Sequence, residues 1–230
     1  MSTYINVARY HLVQRFNYLI LPWGLLAFVF GVDVVILALT PAGHSSHRYV
    51  GGLASIFVIV FILGVQSVAR SLPFGLALGL SRRSYYLGTA LLAAALAAVA
   101  GLVATLGQAI ERTTGGWGLG MGFFRVPYIL DGPWYLTWLT SFVVLTLLFV
   151  YGMWFGLVYR RWSLVGLFAF VGAQVSVLVL GALAATWTHA WPEIGHFFTA
   201  LSASGLTGLL AGLAAVLLAG GFTTMRRLTV

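Results

Sequence analysis

The chain contains no cysteine and no lysine, and its only acids are Asp33, Glu111, Asp131 and Glu193. Without cysteine there are no disulfides, no thiolate metal sites and no cysteine nucleophile. Without lysine there is no G-x-x-x-x-G-K-[ST] loop, whose lysine contacts the β- and γ-phosphates of a nucleotide. Nucleotide hydrolysis by that chemistry must therefore come from another subunit. The run GGWGLGMG at 115–122 is glycine-rich, but it follows no strand and does not make a phosphate loop. Charged residues are 7% of the 230 positions, 61% are hydrophobic, and the mean hydropathy is +1.01. A soluble core of this size could not enclose so much apolar surface. The twelve arginines are dispersed in small groups between apolar runs, not gathered on one face as a nucleic-acid binder requires. The composition is that of a polytopic membrane protein.

A helix needs roughly 20 apolar residues to cross a bilayer. Six runs qualify, at 22–40, 50–69, 86–108, 134–157, 163–186 and 205–224. They lack the strict alternation of barrel strands, so the expected fold is an all-α bundle of six transmembrane helices in a single domain. Ser204, Gly208 and Gly212 form a small-xxx-small series that permits close helix contact, or reflect only the frequency of glycine in membrane helices. Arg9, Arg15, Arg70, Arg82, Arg83, Arg160, Arg161, Arg226 and Arg227 fall in the ends and even-numbered gaps, against Arg48, Arg112 and Arg125 in the others. The positive-inside rule then puts both termini in the cytoplasm. Residues 1–21 read as an interfacial helix, with Ile5, Ala8, Leu12 and Phe16 on one stripe.

Three connections carry information. The inner stretch 70–85 is apolar and glycine-punctuated and ends in two arginines. The outer stretch 109–133 suggests a structured cap, with Trp117, Phe123, Phe124 and Tyr128 at the interface. The outer stretch 187–204, with Trp187, Trp191, Phe197 and Phe198, reads as a short re-entrant hairpin. Asp33, beyond the middle of the first span, is the one carboxylate inside a span, where insertion scales assign a penalty of about 2.5–3.5 kcal/mol. It either lines a translocation path or pairs across a dimer, or it is a protonated or hydrogen-bonded structural group. Gln66 and Gln174 are weaker path candidates, because such glutamines also bridge helices. His44, His47, His189 and His196 lie in outer connections and read as interfacial residues, so no metal is expected.

With an amphipathic start, six spans and an inner loop reading LPFGLALGLSRRSYYLGTAL, the chain resembles the permease subunits of bacterial ABC-2 type exporters, particularly short actinobacterial ones. The likeness covers the whole chain in topology and has residue-level character from Leu72 to Leu91. It implies a type V exporter-like topology in the bacterial plasma membrane and a half-transporter that does no covalent chemistry itself. Two such chains, identical or paralogous, would work with two cytoplasmic ATPase subunits that bind ATP and Mg; this chain would hold no cofactor. The inner loop would be the coupling element. Leu72, Phe74, Leu76, Leu78 and Leu80 would supply apolar contacts, and Arg82 and Arg83 would add charged contacts, hold headgroups or only enforce topology. Residues Tyr4 to Phe16 would be the connecting helix, and the aromatic hairpin from Trp187 to Phe198 the outer gate. An ion-coupled secondary carrier or channel, and a non-transporting scaffold subunit, are the competing classes.

The lack of cysteine makes the orientation directly testable. Thr229→Cys should react with a membrane-impermeant maleimide only after the cells are opened, and Ser202→Cys in intact cells. The reverse pattern would invert the topology.

Overall fold

The computed structural model describes residues 16–40, 48–126, 130 and 132–226, apart from the side chains of Asn17, Leu19 and Arg226. The expected interfacial helix lies outside these residues up to position 15, as do His44, His47, Tyr128, Asp131 and Arg227. A wide helical turn at Phe16–Ile20 leads into α1, Leu21–Leu39, with Pro22 in the first turn, where its missing N–H leaves no bond unmade. The other helices are α2, Ala54–Ala69; α3, Ser71–Ala77; α4, Arg82–Thr113; α5, Trp134–Trp187; α6, Trp191–Ala200; and α7, Ala203–Arg226. Strands β1, Arg48–Tyr49, and β2, Met121–Gly122, pair in parallel with Arg48 opposite Met121. The protein is mostly helical, and five helical stretches among the described residues are long and apolar enough to cross a membrane. This architecture is compatible with an all-α, multi-pass membrane protein.

Two boundaries differ from the sequence reading for one reason. Residues 158–162, expected as a link, continue the first arm of α5, and only Ser163 leaves helical geometry, at φ 56° and ψ −153°. The chain reverses there. Tyr151 donates its hydroxyl hydrogen to Gln174 Oε1, and the ring of Phe155 meets that of Phe170 edge-on at 5.3 Å. Both pairs straddle Ser163 evenly, so the two arms run antiparallel. Likewise α4 begins at Arg82, not 86, because the Ser81 Oγ accepts the Ser84 N–H at 3.1 Å and caps the helix. Ionised residues ended the runs read from sequence, but a long arginine side chain reaches polar surroundings without leaving its helix.

The first arm of α5 is the centre of the bundle, packed against α2, α4 and α7. At its contact with α2 the backbones touch. A Cβ at Gly64 would lie 2.1 Å from the Phe149 carbonyl oxygen, and one at Gly152 would lie 2.2 Å from that of Phe61. Gly156, one small-xxx-small step after Gly152, repeats the contact against Val65 at 2.8 Å. The series expected on the last helix plays no such part. Nothing lies within 4 Å of a Cβ at Gly208 or Gly212, and Ser204 is exposed. α7 is held by Leu218, Phe222 and Met225 at the core and by polar contacts. Thr140 and Thr207 share a hydrogen bond of 2.7 Å, Trp154 Nε1 donates to the Leu217 carbonyl at 2.9 Å, and the Tyr86 hydroxyl donates to that of Leu218 at 2.8 Å. Interhelical bonds of this kind contribute about 0.6 kcal/mol each on average.

Gly64→Ala or Gly152→Ala should therefore destabilise the protein by about 1–3 kcal/mol through overpacking, read as a lower midpoint of thermal unfolding in detergent. Gly208→Ala and Gly212→Ala should leave that midpoint unchanged or slightly raised, because alanine is the better helix former.

Candidate functional site

The segment from Arg70 to Arg83 is a short helix clamped between two long ones. After α3 the chain turns through Gly79 at φ +82°, with Gly79 N–H donating to Leu76 O at 2.9 Å and Leu80 N–H to Gly75 O at 3.2 Å. This 5→2 and 6→1 pair is a Schellman stop, and it needs a residue that tolerates a left-handed backbone. Tyr85 is fully buried behind it and donates its hydroxyl hydrogen to the Ser67 carbonyl at 2.5 Å, tying the start of α4 to the end of α2. The five apolar residues expected as a docking face divide. Leu72 is 2% exposed and sits in the core, and Leu76 and Leu80 pack against that core. Phe74 and Leu78, one turn apart, face outward at 59% and 60% exposure. Arg82 and Arg83 are in the first turn of α4 rather than in a loop, with Arg82 partly buried and Arg83 exposed.

At the other end, α4 is followed by a run of left-handed residues, Gly115, Gly116, Trp117, Gly118 and Gly120, before β2. Trp117 is the one without glycine's freedom. The Thr114 hydroxyl holds it by accepting the Trp117 N–H at 2.9 Å. The fold of this cap centres on Glu111, which is 2% exposed. Its Oε2 accepts the N–H groups of Phe123 and Phe124, both at 2.9 Å, and the Trp117 indole N–H at 3.4 Å; its Oε1 accepts the Arg125 N–H at 3.3 Å. Hydrogen bonds to a carboxylate are stronger than neutral ones, and here they gather backbone donors that no strand or helix satisfies. Phe123 and Phe124 are buried, not interfacial as the sequence suggested. With Trp117 they surround Phe30 of α1, at ring separations of 4.9 Å to Trp117 and 5.1 Å to Phe123. Composition alone marks Glu111 only as one of four acids. The available signal was an acid one turn before a glycine-rich run full of N–H groups.

Asp33, Gln66 and Gln174 are not brought together. The Asp33 Oδ2 is buried without a hydrogen-bond partner against Gly52, where a Cβ would lie 2.3 Å from it. Gln66 is fourteen residues further along, roughly 20 Å down α2 at 1.5 Å per residue. Gln174 bridges the two arms of α5 through Tyr151, as a packing glutamine does, with its Nε2 left without a partner. Between these levels an apolar cavity of about 120 Å³ lies among α1, α2, α4 and α5, walled by Trp23, Phe57, Val103 and Val144. The buried, unpartnered Ser141 Oγ also lies on its lining.

The aromatic stretch after α5 forms the ten-residue helix α6, too short to cross a bilayer. Trp187 is 89% exposed, and Trp191, Phe197 and Phe198 are exposed as well. Trp191 Nε1 donates to Thr186 Oγ1 at 3.0 Å, closing the turn through His189, and Phe197 and Phe198 meet edge-on at 5.4 Å. No protein-family model, curated protein or solved structure matches the chain.

Glu111→Ala should orphan buried N–H groups, at about 1–3 kcal/mol for each donor left without a partner. The expected readouts are a large drop in the unfolding midpoint and a red shift of tryptophan emission as Trp117 is released.

Proposed function

We propose that this chain is the membrane-spanning permease subunit of an ATP-driven exporter, forming the translocation path as a dimer together with separate cytoplasmic ATPase subunits. In this reading the protein crosses the membrane six times, the two arms of α5 counting separately, with both ends on the arginine-rich side. The observation that carries the reading is the outward pair Phe74 and Leu78 on α3. An apolar pair one helical turn apart at the polar end of a membrane bundle fits an apolar groove on a soluble partner. The clamp behind it fits a transmitting role, because Leu72 and Tyr85 tie α3 to both α2 and α4. A displacement at Phe74 therefore reaches two long helices directly. With no lysine, the chain depends on its partner for ATP. Trp187, Trp191, Phe197 and Phe198 would sit at the outer membrane interface as the gate, where aromatic side chains are favoured.

Affinity purification from native membranes should recover an ATPase in stoichiometric amount. Phe74→Asp combined with Leu78→Asp should abolish that recovery with the bundle still folded, because both side chains are exposed. Leu72→Asp should instead unfold the α3 clamp. Transport by the chain alone in ATP-free liposomes would overturn the reading.

Asp33 supports a second reading, an ion-coupled carrier, because its unpartnered oxygen lies within a membrane-length helix. That reading requires Asp33→Asn to abolish ion-driven uptake; the exporter reading requires ATP-dependent transport to survive the substitution.

A further inference from the structure

The groove between α2 and the hairpin of α5, at the arginine-rich end, has a volume of about 590 Å³ and is open on one side. Its walls are apolar, with Phe61 and Val65 from α2 and Leu164 and Leu167 from the second arm of α5. Arg70, at the end of α2, and Arg160, in the last turn before the reversal, line the same groove and are exposed. Several arginines elsewhere in the bundle are engaged. Arg48 donates to the carbonyls of Thr40 and Leu119, Arg112 to that of Gly132, and Arg161 stacks on Trp162 at 4.7 Å. Arg70 and Arg160 have no hydrogen-bond or ion-pair partner among the described residues. Nor is there a carboxylate nearby among the described residues to neutralise them: Asp33 and Glu111 belong to the opposite end of the bundle, and Glu193 to α6 beyond the far end of α5.

We propose that this groove is a binding site for one anionic phospholipid, its phosphate held by Arg70 and Arg160 and an acyl chain laid between α2 and the second arm of α5. Guanidinium groups pair with phosphate oxygens in bidentate fashion and are weakly hydrated, so they suit a headgroup at the edge of hydrocarbon. Basic pockets between membrane helices select anionic headgroups in this way. A zwitterionic lipid gains less, because the described lining of the groove offers its ammonium no carboxylate. A free phosphate would leave the apolar walls unfilled. The site also accounts for the wedge at the base of the hairpin. The aromatic contacts of Phe61 with Tyr151 and Phe155 close the space above, at ring separations of 5.8 Å and 5.1 Å, and leave the space below without protein. The inference rests on the membrane architecture and not on the exporter reading, so ATPase recovery and lipid binding can fail independently.

Native mass spectrometry of the full chain, purified in detergent and supplemented with phosphatidylglycerol or phosphatidylcholine of identical acyl chains, tests the site. Phosphatidylglycerol should be retained as a single adduct in preference to phosphatidylcholine. Arg70→Ala with Arg160→Ala should cut that preference on the order of tenfold, and Arg82→Ala with Arg83→Ala should not. Leu164→Trp, at an exposed position that tolerates bulk, should fill the groove and weaken retention with both arginines intact. Equal retention of the two lipids, or an unchanged preference in the Arg70/Arg160 variant, would overturn the site. Loss with the arginines but not with Leu164→Trp would reduce it to surface charge. Displacement of the lipid by millimolar inorganic phosphate would make it a phosphate site instead.

Discussion

The backbone contact between α2 and the first arm of α5 sets the geometry of everything around it. Two helices normally approach to about 8–10 Å between axes because side chains keep them apart. At Gly64, Gly152 and Gly156 no side chain intervenes, and the facing carbonyls of Phe149, Phe61 and Val65 occupy the space a Cβ would need. In lipid no hydrophobic force draws two apolar helices together, so close packing over small residues has to supply the attraction. Once α5 is seated on α2, its remaining faces are left for α4 and α7. Trp154 then reaches the Leu217 carbonyl on α7, and Trp138 that of Ala98 on α4, at 3.2 Å. The hairpin follows from the same seat, because Phe61 of α2 packs against both Tyr151 and Phe155, which carry the contacts to the second arm.

The scarcity of charge is distributed to a purpose. Glu111, one of four acids, is spent entirely on structure: its two oxygens collect three backbone N–H groups and an indole, and the cap closes over Phe30. At the same end Arg48 and Arg112 are likewise absorbed by carbonyls of the loops they cross. Among the described residues the opposite end has no acid to match its arginines, so the two ends of one bundle differ in kind. One is a self-satisfied polar cap; the other presents Arg70 and Arg160, without a partner among the described residues, and an outward apolar pair. A surface of the second kind has its natural counterparts outside the chain, in headgroups and in a soluble partner.

The helices were legible from sequence because the bilayer criterion is local: an apolar run of sufficient length is a helix wherever it packs. What packs against what is not local. Small residues spaced at four were read from Ser204, Gly208 and Gly212, yet the contact is made by Gly152 and Gly156, whose intervening Met153, Trp154 and Phe155 obscure the small stripe in a linear reading. The same limit explains the coupling segment. Leu72, Leu76 and Leu80 are chemically interchangeable with Phe74 and Leu78, and only the Schellman turn and the Tyr85 anchor decide which of them face the core. Glu111 was missed because a carboxylate's value here lies in donors twelve to fourteen residues away, brought back by left-handed glycines. Ser163 was missed because a reversal made by a single non-glycine residue leaves no composition signal.

These features together make α3 more than a linker in the proposed transporter. Its inner face is continuous with the core through Leu72, and Tyr85 bonds the Ser67 carbonyl three residues beyond Gly64 on α2. The backbone contact between α2 and α5 therefore begins one turn above the clamp. A lateral force on Phe74 and Leu78 has little helix to bend, because α3 is only seven residues long, follows α2 after the single residue Arg70 and is stopped at Gly79. It has to move the ends of α2 and α4 together, and α2 carries the first arm of α5 with it through the glycine contact. The part left free to respond is the second arm of α5 with α6, whose side chains are almost all exposed. Motion entering at α3 would thus be expressed at the aromatic end around Trp187 and Trp191, and a lipid wedged beside Arg70 and Arg160 would lie at the pivot between the rigid pair and the moving arm.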